Sequence, residues 1–209
     1  MINIIDHGLS NSVSVLNMLR RLGIKCDLVE KPQKRIEGEK YILPGVGSFD
    51  EGIKSLTKSG WYSFLKEKFH EENFSLLGIC LGMQLLFSES EEGSMEGLGF
   101  IKGSVKKFNI LDDTKANIKI PLIGWKEVIF LKKDKLFEEG LEKYEKFYFV
   151  HSYYCKPDNQ NTIIAVANHG INFPSIVGLN NIYGVQFHPE KSHKYGMKLL
   201  NNFSRLLDV

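Results

Sequence analysis

An apolar run from Phe74 to Ile79 passes with no intervening loop into Gly78-Ile79-Cys80-Leu81-Gly82, and then into a segment carrying Met83, Leu86 and Phe87 at helical spacing. A strand that turns into a helix across one reactive residue is a sharp elbow, and glycines on both sides leave room for the strained turn. Such an elbow throws the central side chain outward at the carboxyl end of a sheet. The helix that follows is expected to be amphipathic, and its positive dipole end favours thiolate over thiol. An isolated GxCxG more often marks a small packed cysteine, but the strand and helix flanks make Cys80 a candidate nucleophile. The other two cysteines lack this context: Cys26 alternates with polar neighbours in a strand pattern and Cys155 follows an aromatic run, so both read as packing residues. An odd count of three with no CxxC spacing suggests neither a disulfide framework nor a zinc knuckle.

The rest of the amino-terminal half agrees with an elbow in an α/β sheet. Ile2 to Ile5 reads as a strand, and Val15, Leu16, Met18, Leu19 and Leu22 as a helical stripe stopped by Gly23. Cys26 to Val29 and Lys40 to Leu43 are further strands. To about residue 88 the order is strand, helix, strand, strand, helix, strand, helix, the alternation of a parallel sheet covered by helices. After residue 95 β-branched and aromatic runs recur near Val105, Val128, Phe147 to His151, Ile163 to Val166, Ile176 to Leu179 and Tyr183 to Phe187. That half is expected to be mainly strands, closed by a helix from about Ser192. With no repeat, low-complexity tract or Gly/Ser linker, residues 1–209 read as one domain. The charge-rich patches Glu89 to Glu96 and Lys132 to Lys143 read as solvated loops or helix faces.

Lys and Arg total 27 against 25 acidic residues, a net charge of +2 that makes no electrostatic case for a nucleic-acid or membrane-surface partner. The opening strand is too short to span a bilayer and lacks a basic flank with a cleavage site, so the expected compartment is the cytoplasm.

A cysteine nucleophile needs a base. Gln186-Phe187-His188-Pro189-Glu190 ends the apolar run from Ile182, at a strand terminus where catalytic loops gather. Pro189 enforces extended backbone at His188, and in extended chain His188 and Glu190 point the same way. Neutral imidazole can take the thiol proton and return it to a leaving amine, with the carboxylate orienting the ring. The other five histidines show no HxxxH spacing, so no metal site and no cofactor is implied. Attack of a thiolate on a carboxamide also builds an oxyanion, which preorganised amides must meet. Pro44-Gly45-Val46-Gly47 is a glycine-rich turn after a strand, and the amides of Val46 or Gly47 and of Leu81 are the expected donors.

Taken in order, PGVG at 44–47, GICLGMQ at 78–84 and QFHPEKS at 186–192 resemble the class I, triad-type glutamine amidotransferases. DHGLSN, PGVGSF, CLGMQLLF, GWKEV and FVHSYY extend the resemblance over nearly the whole chain, to the glutaminase subunits of imidazole glycerol phosphate synthase. The resemblance implies a flavodoxin-like α/β fold with a mostly parallel central sheet flanked by helices and additional antiparallel strands in the carboxyl-terminal half. It implies hydrolysis of glutamine to glutamate and ammonia through a glutamyl thioester on Cys80, with His188 as base and Glu190 as orienter. By matching position, Gly47, Gln84, Glu92, Ser152 and Tyr153 fall in the substrate pocket, and Asn11, Trp125 and Lys191 on the face toward the synthase. The implied partner is a (βα)8-barrel cyclase subunit, which would use the ammonia to form imidazole glycerol phosphate and AICAR in histidine biosynthesis.

Two segments depart from the family pattern. Its DYGxGN reads Asp6-His7-Gly8-Leu9-Ser10-Asn11 here, and its PHMGWN reads Pro121-Leu122-Ile123-Gly124-Trp125-Lys126. Both lie away from the triad and toward the expected partner. They leave open a paralogue that supplies the same ammonia to a synthase amidinating a bacterial surface sugar. A non-catalytic scaffold or a γ-glutamyl or cysteine peptidase on the same fold fits less well: all three triad residue types are present, and Glu92 and FVHSYY match the amidotransferases.

Overall fold

The computed structural model describes residues 1–32, 40–109, 118–137 and 142–206, so the Lys132 to Lys143 patch lies partly outside the described residues. The chain opens with β1 (Ile2–Ile5), α1 (Ser12–Arg21) and β2 (Cys26–Val29), a right-sized unit for a parallel pair: Ile2 pairs with Cys26 and Ile5 with Val29. β3 (Lys40–Gly45) lies parallel on the other side of β1. Where the sequence suggests one helix there are two, α2 (Phe49–Ser59) and α3 (Trp61–Lys68). Gly60, at φ 84°, adopts the left-handed conformation that ends α2 and lets α3 start in a new direction.

β4 (Ser75–Cys80) and α4 (Leu81–Leu85) meet at the elbow. Beyond them come β5 (Glu89–Ser90), β6 (Gly103–Lys107), β7 (Leu122–Phe130), β8 (Tyr144–His151), β9 (Tyr153–Pro157), β10 (Ile163–His169), β11 (Ile171–Leu179), β12 (Ile182–Val185) and α5 (His193–Arg205). Nine strands form one sheet in the order β2-β1-β3-β4-β12-β11-β10-β7-β8, and β5-β6-β9 form a second, smaller one. The first five strands of that order are parallel, and β11, β10, β7 and β8 extend the sheet with antiparallel neighbours. This is the mixed architecture the sequence pattern suggests.

Side-chain alternation splits the apolar core between the two sheet faces. Ile2, Ile4, Ile42, Leu77 and Ile79 pack with Val15 and Leu19 of α1 and with Leu199, Leu200 and Phe203 of α5. Ile5, Tyr41, Leu43 and Leu76 pack with Phe49, Ile53 and Leu56 of α2 and with Trp61 and Leu65 of α3. Among the described residues no helix is long and apolar enough to cross a membrane.

The helix after Cys80 differs from expectation. It is one short turn-and-a-half rather than an amphipathic rod, and every residue from Leu81 to Leu85 is buried. Its confinement follows from close approach: a Cβ on Gly82 would overlap the Leu43 carbonyl of β3, and one on Gly78 would sit 2.6 Å from the Gly82 carbonyl oxygen. Only glycine lets the strand fold back onto its own helix at that distance. Gly82→Ala is therefore expected to destabilise the chain by about 2–4 kcal/mol, because backbone rather than a movable side chain must give way. Denaturant unfolding of the two proteins measures this, and equal midpoints would refute the packing argument.

Candidate active site

Sheet register assembles the site. Gly45 of β3 pairs with Cys80 at the end of β4, and on the other side Val185 of β12 pairs with Ile79. The PGVG turn, the elbow and the segment leading to His188 thus emerge side by side at the carboxyl ends of three adjacent parallel strands. Cys80 itself has φ 54° and ψ −108°, a strained conformation for any residue with a Cβ. Strain of this kind, held by the glycine contacts beneath it, projects the sulphur into a cavity of about 400 Å³. Val46, Gly47, Cys80, Leu81, Gln84 and Glu92 line it from one side, and Val150, His151, Ser152, Tyr153, His188 and Lys191 from the other.

His188 and Glu190 are joined as expected, with Nδ1 2.7 Å from Oε1, but not along extended chain. Pro189 starts a single 3₁₀ turn through Lys191, and the Lys191 amide donates to the His188 carbonyl at 3.1 Å. His188 is extended, as the residue before proline must be, and the pair then closes around the turn. Its Nε2 is buried and makes no hydrogen bond among the described residues. Burial opposes a charged ring here, yet the neighbouring Cys80 sulphur and the Glu190 carboxylate outweigh it and hold the His188 pKa up at about 10. An imidazolium beside the sulphur favours the thiolate.

Several residues do more, or something other, than the sequence suggests. The Val46 amide, an expected oxyanion donor, instead donates to the Leu9 carbonyl at 2.9 Å, so in this conformation it is engaged outside the cavity. Asn11, expected only at a partner face, donates through Nδ2 to Glu190 Oε1 at 3.2 Å and ties α1 to the His188–Glu190 pair. Glu92 lines the cavity but also accepts from the Phe49 amide at 2.8 Å, capping α2, while Asp50 accepts from the amides of Ser94 and Met95. The Glu89 to Glu96 patch is therefore pinned to the start of α2 rather than simply solvated. His7, which stands where the family has tyrosine, donates from Nε2 to the carbonyl of Pro44, the first residue of the PGVG turn, at 3.0 Å.

Of the expected partner-side residues, Trp125 and Lys191 gather around Tyr148, with Lys191 also on the cavity wall. Trp125 is 43% exposed and stacks on His193 with ring centroids 5.6 Å apart, and Lys191 lies over the Tyr148 ring at 5.9 Å. Tyr148 carries no signal in the sequence beyond its place in an aromatic strand. Cys26 and Cys155 are buried, and burial pushes the Cys155 thiol well up.

A cysteine on a strand-to-helix elbow, facing a histidine–carboxylate pair over a flavodoxin-like sheet, places the chain in a recognisable class. It belongs to the glutamine amidotransferase class-I family, whose model matches residues 3–206. Among curated relatives it is 45% identical to the imidazole glycerol phosphate synthase subunit HisH of Leptospira borgpetersenii, over 99% of this chain and 100% of that protein. It is 42% identical to the subunit HisH 2 of Pseudomonas aeruginosa, over 99% of this chain and 100% of that one. Its fold matches a solved glutamine amidotransferase with a TM-score of 0.69 at 19% identity, covering 96% of this chain and 98% of that one.

His151 gives the site a testable acid limit. It is buried, its Nδ1 donates to the Tyr153 carbonyl at 2.7 Å, and burial, assisted by the nearby His169 and His188, lowers its pKa to about 4. Between pH 6.5 and that value the unfolded chain takes up a proton that native His151 refuses. Stability should therefore fall as pH falls through this window, by roughly 3 kcal/mol at most. Urea unfolding at pH 4.5 and pH 7 should show a smaller loss in His151→Gln than in the parent, and equal losses would dissociate His151 from the effect.

Proposed function

We propose that this chain is the glutaminase subunit of an imidazole glycerol phosphate synthase, hydrolysing glutamine to glutamate and ammonia for a synthase subunit. The observation that carries the reading is the presence of Cys80 and the 2.7 Å His188–Glu190 pair in one cavity of about 400 Å³. Full-length similarity to the HisH subunits supports the pathway.

In this reading Cys80 attacks the glutamine carboxamide, His188 returns the proton to the departing ammonia, and water releases glutamate from the thioester. Glu190 holds the ring. Gly47, Gln84, Glu92, Ser152 and Tyr153 hold the substrate. The amide of Leu81, together with that of Val46 or Gly47, receives the oxyanion. Because the Val46 amide is bonded to Leu9, the isolated chain reaches that donor only after its peptide rotates. A partner that stabilises the rotated form would raise the rate, so glutaminase activity should be weak alone and rise in the complex. The cluster of exposed Trp125 and Lys191 around half-buried Tyr148 is the docking face for a (βα)8-barrel cyclase, in a cytoplasmic heterodimer formed by the whole chain acting as one domain.

A second reading, ammonia supply to a sugar-amidinating synthase, draws on the departures from the family pattern at Lys126, next to Trp125, and at Leu122, which is buried in the core. Complementation of a strain lacking the histidine-pathway glutaminase separates the two.

Glutamate release by the chain and by Cys80→Ala, with and without the cyclase, tests the chemistry. The parent should be stimulated by the partner, and the substitution should lower its rate by about a thousandfold or more. Comparable rates in both proteins would sink Cys80 as nucleophile.

A further inference from the structure

Gln186 interrupts the apolar run that ends at Phe187, is fully buried, and has no part in the reaction described above. Parallel pairing sets Val185 opposite Ile79, so the next residues outward on the two strands are Gln186 and Cys80. Gln186 Nε2 lies 3.9 Å from Cys80 Sγ.

Which end of this carboxamide faces the sulphur is fixed by a relay of donors and acceptors. The Tyr153 carbonyl can only accept, so the end of Gln84 that lies 3.1 Å from it is the NH2 group. That nitrogen is also 3.3 Å from the Gln186 side chain, which must present its oxygen there. The opposite end of Gln186 is then NH2, and it faces Cys80. His151 Nδ1 donates to the same Tyr153 carbonyl, which keeps that acceptor in place. Rotating the Gln84 amide by half a turn would set its oxygen against two other oxygens, and rotating that of Gln186 would set its nitrogen against the Gln84 nitrogen.

We propose that Gln186 is a thiolate-holding residue, donating an N–H to the charged Cys80 sulphur, and that Gln84 positions it through the amide relay. The inference rests on Cys80 being the nucleophile. The sulphur also lies 3.9 Å from the Val150 carbonyl, which can take the thiol proton but repels a thiolate, and it adjoins the His188 ring, whose charged form favours the anion. A donor and an acceptor thus compete over the protonation state of one atom. The donor's bond strengthens when the sulphur is charged, whereas the acceptor's is lost, so the pair tips toward the anion.

The test is the pH profile of Cys80 alkylation by iodoacetamide in the full chain, with Cys80→Ala as the blank for the two other thiols. In Gln186→Met, which keeps length but has no donor, the midpoint should rise by about one pH unit and the rate at neutral pH should drop about tenfold. Gln186→Glu should be slower still, because a carboxylate would face the sulphur. In the unsubstituted chain, the side-chain amide signal of Gln186 in a ¹⁵N-correlated NMR spectrum should titrate with the alkylation midpoint, a readout that needs no variant to fold. A reactive Cys80 whose profile ignores both substitutions, or a Gln186 signal flat across the titration, overturns the inference. A Cys80 that is not alkylated at all instead overturns the nucleophile assignment itself.

Discussion

The Leu43 carbonyl of β3 and the backbone of Gly82 lie so close that no side chain fits between them, and much of the site depends on that contact. It forces β4 to turn into α4 within one residue, and Cys80 absorbs the turn at φ 54°. The strain is tolerable because the surroundings over-determine it: α4 is buried on all sides and β3, β4 and β12 are fully buried strands. A looser elbow would let Cys80 relax to an ordinary strand conformation and withdraw the sulphur from the cavity. The core packing and the chemistry therefore share one constraint.

The same geometry sets the electrostatics. Three parallel strands end together, so groups far apart in sequence share a small buried volume in which unpaired charge is costly. His188 is held cationic by what adjoins it, whereas His151, a short distance along the wall, is held neutral by burial. Two imidazoles lining one cavity thus have pKa values displaced in opposite directions, one by adjoining charge and the other by burial. Asn11 extends the buried polar set to α1, so the orientation of Glu190 is coupled to the first helix as well as to its own turn.

Much of this is legible in the sequence, for identifiable reasons. Period-two and helical patterns locate the parallel half because each strand there is a compact apolar run. The elbow, the HPE segment and the PGVG turn are visible because each joins a reactive or glycine-rich element to a strand end. What the sequence hides is set by tertiary contact. Gly60 breaks one expected helix into two, yet glycines elsewhere in the chain do no such thing. The Glu89 to Glu96 patch looks like solvated charge until the chain brings Glu92 to the Phe49 amide and the Ser94 and Met95 amides to Asp50, each more than forty residues away. The His188–Glu190 pair is anticipated by spacing but forms along a different backbone path, since Pro189 opens a 3₁₀ turn where the spacing implies extended chain. Gln186 leaves one trace, a polar residue inside an otherwise apolar strand run, and burial gives that trace its meaning.

The Val46 amide shows how the isolated fold restrains its own chemistry. Its hydrogen bond to Leu9 connects the PGVG turn to the segment between β1 and α1, and His7 in that same segment grips the Pro44 carbonyl. The loop after β1 therefore holds the turn at two points while also carrying Asn11 to Glu190. A single short segment thus touches both the oxyanion side and the base side of the cavity. Displacing that segment would disturb the PGVG turn and the His188–Glu190 pair together, because the Val46–Leu9 bond and the Asn11–Glu190 bond both originate in it.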